Sequence, residues 1–212
     1  SLPFARIYLN TILSTVITVL AQLVFCAMAG YAFARIKFPF KNTIFILLLS
    51  VLMVPGQIFL IPQYLIIQKM GLLDTIPALF IPNLFSAFGT FLMRQFFLSL
   101  PEELEEAAII DGCSRYQIFG RIMLPLVKPG LVTLSIFTFK FAWNDFMWPF
   151  LITTGEEKRT VQLAVQIFVG VSPIHYGVIM AVLTLASIPM IIMYIFMQKF
   201  YVEGIASTGI KG

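Results

Sequence analysis

The feature that most constrains this chain is a series of five apolar stretches, each long enough to cross a lipid bilayer. A helix needs about 20 mostly apolar residues to cross about 30 Å of hydrocarbon. The stretches cover residues 8–34, 43–67, 77–98, 130–149 and 175–200. Charged residues make up 11% of the 212 residues, against about 25% in ordinary globular domains. The sequence therefore predicts an all-α membrane protein of five transmembrane helices in a single domain, 1–212.

The distribution of lysine and arginine predicts the orientation, because cytoplasmic connections carry the excess of these residues. One side of the membrane receives Arg35, Lys37, Lys41, Arg94, Arg115, Arg121, Lys128, Lys199 and Lys211, and the other receives Arg6, Lys69, Lys158 and Arg159. We therefore expect the connection between the third and fourth spans, and the C-terminus, to be cytoplasmic. The net charge of +4 is dispersed along the chain and excludes a nucleic-acid partner, leaving membrane lipid as the surrounding medium.

The second span contains Pro55-Gly56 and Pro62, and each proline removes a backbone donor from the helix. Carbonyl groups freed in this way must face protein, water or a cavity. A packed kink is the favoured interpretation, and a break that lines a ligand site is the alternative.

The connection between the third and fourth spans predicts a helical hairpin over residues 99–125. Ser99-Leu100-Pro101-Glu102 and Ser114-Arg115-Tyr116-Gln117 both match the capping-box pattern at a helix start. Between them, Asp111-Gly112 is typical of a tight turn in which glycine adopts a positive φ. Two interpretations remain open: a solvated acidic loop, or a rigid protrusion that docks into the groove of a partner.

No feature of the sequence indicates an enzyme. Cys26 lies in an apolar run, Cys113 lies in a polar connection, and His175 is the single histidine, so these residues predict neither a disulfide framework nor a metal site. The chain lacks the G-x-x-x-x-G-K-[ST] phosphate loop and any nucleophile or paired-carboxylate arrangement. We therefore predict no catalytic residues, no metal and no cofactor bound by this chain.

One motif carries a family resemblance. Glu106-Ala107-Ala108 is followed at fixed spacing by Gly112, Ile122 and Leu124-Pro125. This pattern resembles the EAA signature of the permease subunits of bacterial ATP-binding-cassette (ABC) importers. The wider sequence is similar to the carbohydrate branch, in particular to the second maltose permease subunit, through residues 29–35, 55–62, 71–75, 91–112, 143–149 and 203–212. That family has a core of six helices, so the resemblance implies that the first is missing here, by truncation or by nature.

The resemblance implies a multi-pass permease in the bacterial inner membrane that forms half of a solute pathway. The implied partners are a second permease subunit, two cytoplasmic ATPase subunits that hydrolyse ATP, and an extracytoplasmic solute-binding protein. Oligosaccharides, sugar alcohols and glycerol phosphates are the solutes of the branch. The residues implied to contact the ATPase are those of the signature and its turn, together with the tail from Gly204: Glu106, Ala107, Ala108, Asp111, Gly112, Ile122, Leu124 and Pro125.

Three polar residues in the fourth span support an alternative, a channel or secondary transporter. Lys140 lies about 15 Å into the span, with Asn144 and Asp145 further along. An ionisable side chain at this depth costs about 3 kcal/mol and indicates a function by default. Lys140 and Asn144 share a helix face, whereas Lys140 and Asp145 do not. These residues are candidates to line a pathway, with a contact between neighbouring helices as the equal alternative.

Overall fold

The computed structural model describes residues 3–170 and 176–208, and all regular structure in these ranges is helical. The α-helices, in chain order, are α1 (Phe4–Arg35), α2 (Lys41–Ser50), α3 (Leu60–Lys69), α4 (Ile76–Phe80), α5 (Ala87–Leu98), α6 (Glu103–Ile110), α7 (Arg115–Gln117), α8 (Leu124–Leu126), α9 (Lys128–Trp143), α10 (Met147–Ile152), α11 (Val161–Gly170) and α12 (Tyr176–Thr208). Short 3-10 helices cover Val51–Met53, Gly56–Phe59, Ile81–Asn83 and Glu156–Lys158, and a π-helix covers Ile118–Met123. His175 and the end of the tail, 209–212, lie outside the described residues.

The helices agree with the predicted class of membrane protein. Among the described residues, α1 and the Tyr176–Phe196 part of α12 are each long and apolar enough to cross a bilayer. Three further pairs of helices pass the same test together, although each pair bends by more than 40° at a short break. By length and composition, the described residues thus contain two candidate spans, or up to five if each bent pair is one span, so the count of five stays a prediction.

The breaks refine the predicted spans. The second span is interrupted at Val54 and Pro55, as predicted, whereas Pro62 is accommodated in the first turn of α3, where the missing N–H has no intrahelical partner to lose. The predicted fourth span, 130–149, is also interrupted, because α9 ends at Trp143 and α10 begins at Met147. Asn144 and Asp145 therefore lie in a helix break and not in a continuous helix.

The first of two compact units contains Ser1–Val19, Gly56–Leu84 and Ile136–Lys199. One of its cores packs Ile7 of α1 against α11 and α12, and the other packs α3 and α4 against Trp148 and Ile152 of α10. Two indole N–H groups fix these cores, because Trp143 donates to the carbonyl of Ala186 at 3.0 Å and Trp148 donates to that of Ala78 at 2.8 Å. Buried indoles are thereby satisfied, as burial requires.

The second unit contains Leu20–Pro55, Phe85–Ser135 and Phe200–Gly212. Its core joins the second half of α1, α5 and the hairpin of residues 99–125. Helices α1 and α5 approach closely at Gly30, where an added Cβ would lie 2.7 Å from Met93 Cβ and 2.8 Å from the backbone nitrogen of Arg94. Only a residue without a side chain fits this crossing, so Gly30 determines how closely the two helices pack.

Candidate functional site

The turn of the hairpin forms as the sequence predicts. Gly112 has φ +79°, its N–H donates to Ile109 O at 3.0 Å, and the N–H of Cys113 donates to Ala108 O at 2.9 Å. These two bonds are the Schellman arrangement, which ends a helix on a left-handed residue. Nothing lies within 4 Å of a Cβ added at Gly112. Glycine is therefore favoured there by backbone conformation and not by lack of space.

One predicted capping box is confirmed and the other is wrong. Ser114 Oγ accepts from Gln117 N at 3.4 Å, and Gln117 Oε1 accepts from Ser114 N at 2.8 Å, so α7 begins at a complete box. Ser99, in contrast, is the C-cap of α5, and its hydroxyl donates back to Phe96 O at 2.8 Å. Helix α6 begins at Glu103, and its N-cap residue, Glu102, makes no side-chain cap hydrogen bond.

The outward face of the hairpin carries part of the EAA signature. Glu106 and Ala107 are exposed, whereas Ala108 is buried at 3% in the core of the second unit. Asp111, at the turn, is exposed as well. The most exposed apolar side chains of the hairpin are Ile110, at 85%, and Tyr116, at 86%. Such large apolar groups in water favour a surface that a partner covers.

The last three residues of the signature, Ile122, Leu124 and Pro125, lie beside the core of the second unit and not on the exposed face of α6. Ile122 and Leu124 are half-buried and pack against the core of their own unit. Pro125 is exposed beside them in α8. The apolar surface that the hairpin offers to a partner therefore comes from Ile110 and Tyr116, which the sequence analysis did not single out.

A buried polar contact fixes α6 to α1. Glu105 is buried at 7%, and its Oε1 accepts a hydrogen bond from Tyr31 Oη at 3.0 Å. The same carboxylate oxygen pairs with Arg115, whose side chain is 56% exposed. A buried carboxylate needs such partners, since an unpaired buried charge is strongly destabilising. Sequence reasoning missed Glu105, because one acid among four neighbouring glutamates gives no signal of burial.

The start of the hairpin is fixed by a second side chain of α1. Arg35 is 5% exposed, and its guanidinium donates to Phe97 O at 2.8 Å and to Leu100 O. These carbonyls lie where α5 ends, and a cation stabilises the C-terminal end of a helix. Tyr31 and Arg35 are one turn apart on α1 and so share a face. Two successive turns of α1 thus hold both the entrance and the first helix of the hairpin.

Lys140, Asn144 and Asp145, the three polar residues of the predicted fourth span, differ in exposure and in hydrogen-bond partners. Lys140 is exposed, and its ammonium has no hydrogen-bond or ion-pair partner within the part of the chain that the structure describes. Asn144 is exposed, donates to the backbone carbonyl of Lys140 at 2.8 Å and accepts from Gln162 Nε2 at 3.3 Å. Asp145 is half-buried, and its Oδ1 accepts from Trp148 N at 3.3 Å. The expectation that Lys140 and Asp145 do not pair agrees with this geometry.

Asp145 opens onto a pocket of about 370 Å³ within the first unit. Three amides, Gln57, Gln63 and Asn83, share its wall with Asp145. Each amide lies next to, or two residues after, a proline that breaks an apolar run, and this was the signal available in the sequence. Residues that follow the break in the second span thus line a cavity, which favours the alternative of a break at a ligand site over a packed kink.

The carboxylate of Asp74, which lies outside the apolar stretches, holds two connections of the first unit together. Asp74 Oδ1 accepts from Thr154 N and Gly155 N, both at 3.0 Å, and Asp74 Oδ2 accepts from Lys158 Nζ at 3.0 Å. The bond from Gly155 and the bond from Lys158 are the largest causes that lower the pKa of Asp74 to about 2. We name this contact the loop clasp. It joins the connection after α3 to the connection after α10.

Broken apolar helices, a pocket lined in part by amides and a carboxylate, and a rigid hairpin are together typical of a transporter subunit. The sequence profile described as the inner membrane component of binding-protein-dependent transport systems matches residues 5–207. The arabinooligosaccharides transport system permease protein AraQ of Halalkalibacterium halodurans is 32% identical over 96% of this chain and 73% of that protein. The sn-glycerol-3-phosphate transport system permease protein UgpE of Yersinia pestis is 33% identical over 98% of this chain and 75% of that protein.

A solved structure agrees with these relatives. A chain of a bacterial ABC transporter involved in the import of the acidic polysaccharide alginate superposes with a TM-score of 0.84 at 28% identity, over 93% of this chain and 75% of that one. The chain therefore belongs to the family of inner membrane components of binding-protein-dependent transport systems. It is an ABC importer permease and not an enzyme, and it works with an ATPase and a solute-binding protein. These findings favour the importer over the channel or secondary transporter.

Proposed function

We propose that this chain forms one half of the solute pathway in an ATP-driven importer of oligosaccharides, sugar alcohols or glycerol phosphates. The relatives named for arabinooligosaccharides and sn-glycerol-3-phosphate support that class of solute. A second permease subunit completes the pathway, and two ATPase subunits bind and hydrolyse the ATP. The binding protein delivers solute on the outer side, while the hairpin and the C-terminus face the cytoplasm, as the lysine and arginine distribution favours.

The single observation that carries the proposal is the build of the hairpin. A Schellman turn and a complete capping box hold its two helices, and Glu105 and Ala108 fasten one face of α6 to the second unit. The opposite face, with Glu106, Ala107 and Ile110, is exposed. A fixed helix with an exposed face of mixed charge and apolar groups suits docking into a groove of another protein. In this proposal that protein is the ATPase subunit, and Glu106 meets a cation there.

The pathway itself is the second part of the proposal. Asp145 lines the pocket, and Lys140 and Asn144 are exposed on the same stretch of chain. An exposed ammonium at predicted membrane depth is costly when it faces lipid. We therefore assign Lys140, Asn144 and Asp145 to the wall of the pathway, where water reaches them.

The test of the hairpin uses the full complex, reconstituted with its partners. Gly112→Val forces a β-branched residue to a positive φ, which costs about 1–2 kcal/mol or more, and Glu106→Lys reverses the charge of the outward face. We expect both variants to insert normally, to lose uptake and to recover less ATPase subunit on co-purification.

Two matched variants serve as controls. Gly112→Asn keeps the turn, because asparagine tolerates this conformation, and Glu103→Lys reverses an exposed charge in the first turn of α6. Both should retain most of the uptake. Wild-type uptake and ATPase recovery in Gly112→Val and in Glu106→Lys would show that the hairpin is a solvated loop and would contradict the proposal.

A further inference from the structure

The pocket beside Asp145 has the build of a small-molecule site. Its volume of about 370 Å³ lies within the range of about 300–1,000 Å³ that is usual for ligand pockets. Three interruptions of helical structure meet at its wall: the start of the 3-10 helix at Gly56, the 3-10 turn that ends at Asn83, and the break that contains Asp145. Discontinuous helices form the substrate sites of many transporters, because their backbone groups are free to face a ligand.

The polar groups of the wall suit hydroxyl-rich ligands. Gln57, Gln63 and Asn83 each bring an amide that both donates and accepts, and Asp145 brings carboxylate oxygens that accept. A sugar hydroxyl also both donates and accepts, so it can pair with either kind of group. A second cavity, of about 10 Å³, also borders Asp145 and is lined by Ser14, Thr18 and Thr160 among others. Asp145 therefore has polar surroundings on more than the pocket side.

Aromatic rings supply the apolar part of the wall. Phe141 is 56% exposed and lines the pocket together with Phe59 and Trp148. The indole N–H of Trp148 is already bonded to Ala78 O, so this side chain offers only ring surface. A sugar ring has apolar C–H faces between its hydroxyls, and such faces pack against aromatic rings. An exposed ring beside amides and a carboxylate is thus matched to a sugar and poorly matched to a lipid chain.

The charge of the wall is of one sign. Among the described residues that line the pocket, Asp145 is the one that carries a charge. The exposed Lys140 lies on α9, five residues before Asp145, but is not part of this wall. A phosphate or uronate brought to the pocket would meet a like charge with no lysine or arginine in the wall to offset it, which disfavours binding.

We propose that this pocket binds a neutral, hydroxyl-rich segment of the transported solute, and that Asp145 selects against anionic solutes. The inference rests on the proposed function, since it assigns the solute class of that pathway. It separates this chain from the relatives named for sn-glycerol-3-phosphate and for the acidic polysaccharide alginate.

The test measures direct binding to the full complex of permeases and ATPases in lipid nanodiscs, without the binding protein, so that solute selection by that protein does not enter. Saturation-transfer NMR titrations use three probes: arabinotriose, sn-glycerol 3-phosphate and a uronic-acid trisaccharide. We expect arabinotriose to bind at least tenfold more tightly than either anion. In Asp145→Asn this ratio should fall at least fivefold, because the repulsion is removed.

Two further variants keep the test independent of how Asp145→Asn folds. Gln63→Ala should weaken arabinotriose binding several-fold, while Gln68→Ala, the same change at an exposed position of α3 outside the pocket, should not. Gly56→Phe adds a ring where a Cβ meets nothing within 4 Å and should abolish binding by filling the pocket.

The outcomes separate the two proposals. Equal binding of neutral and anionic probes, or an unchanged ratio in Asp145→Asn, would overturn the selection by charge. No binding of any probe would assign the pocket to packing against the second permease subunit and overturn the inference. The proposed function is judged separately, by uptake and ATPase activity of the same wild-type complex with its binding protein, and survives either result.

Discussion

The hydrogen bond between Tyr31 and Glu105 allows a sharp test of how the hairpin is held. Tyr31→Phe removes only the donor. The ring keeps its place, because it packs between Phe97 and Phe119 with centroid distances of 5.4 and 5.2 Å. Arg115 still pairs with the carboxylate, but its side chain is 56% exposed, and exposed ion pairs contribute about 0–1 kcal/mol. The change therefore isolates one buried hydrogen bond to a charged group.

The expected magnitude follows from the charge of the acceptor. Hydrogen bonds to charged groups contribute about 1.5–3 kcal/mol, and 1.4 kcal/mol corresponds to a factor of ten in an equilibrium constant. Local opening of α6 away from α1 should therefore become about 10- to 150-fold more frequent in Tyr31→Phe. The amides of Asp111, Gly112 and Cys113 are bonded to carbonyls of α6 and should report this opening.

Hydrogen–deuterium exchange of the purified complex measures this local opening, with mass spectrometry of peptides that cover residues 103–117. The exchange rate of these peptides should increase about 10- to 150-fold in Tyr31→Phe. Tyr116→Phe is the matched control, because it makes the same change on the same hairpin at a side chain that is 86% exposed. If Tyr31→Phe and Tyr116→Phe both changed exchange less than twofold, the buried contact would not hold the hairpin, and the reasoning would fail.

Two further predictions concern the crossing of α1 with α5 and the loop clasp. Gly30→Leu should lower the thermal inactivation midpoint of the solubilised complex, because overpacking at the close contact with Met93 costs about 1–3 kcal/mol. Gly177→Ala should leave this midpoint unchanged, because the space around Gly177 is open. For Asp74, whose pKa falls from 3.8 to about 2, the stabilisation is fully present above pH 4 and is lost between pH 4 and 2. Limited proteolysis of the connection that contains Lys158 should accelerate as the pH falls from 4 to 2. In Asp74→Asn this connection should be cleaved faster than in wild type already at pH 7.

Local chemistry explains which parts of the hairpin could be predicted. The turn at Gly112 and the box at Ser114 depend on residues within a few positions of each other, so the sequence contains all that determines them. Ser99 shows where the same pattern fails. Its hydroxyl has two possible uses, to accept from an N–H of the helix that follows or to donate to a carbonyl of the helix that precedes it, and the sequence pattern does not determine which one forms.

The buried contacts depend on distant parts of the chain and could not be predicted. Glu105 is buried because Tyr31, 74 residues earlier, supplies a donor, and an isolated helix with four glutamates gives no reason to expect this. The pocket also depends on distant parts of the chain, since Gln57, Asn83 and Asp145 come from three separate apolar runs. The sequence showed each polar residue beside a break, but only the folded chain brings them to one wall.

The contacts of Tyr31 and Arg35 with the hairpin determine how a movement of the docked ATPase would reach α1 in the proposed function. Arg35 holds the carbonyls at the end of α5, and Tyr31, one turn earlier on α1, holds Glu105 of α6. A displacement of the exposed face would otherwise be absorbed by the short link at Leu100-Pro101, which belongs to neither helix. With contacts on both sides of that link to one rigid helix, bending the link requires breaking a buried charged hydrogen bond. The lower-energy response is for α6 and α1 to move together, so Tyr31 converts a loop connection into a rigid one.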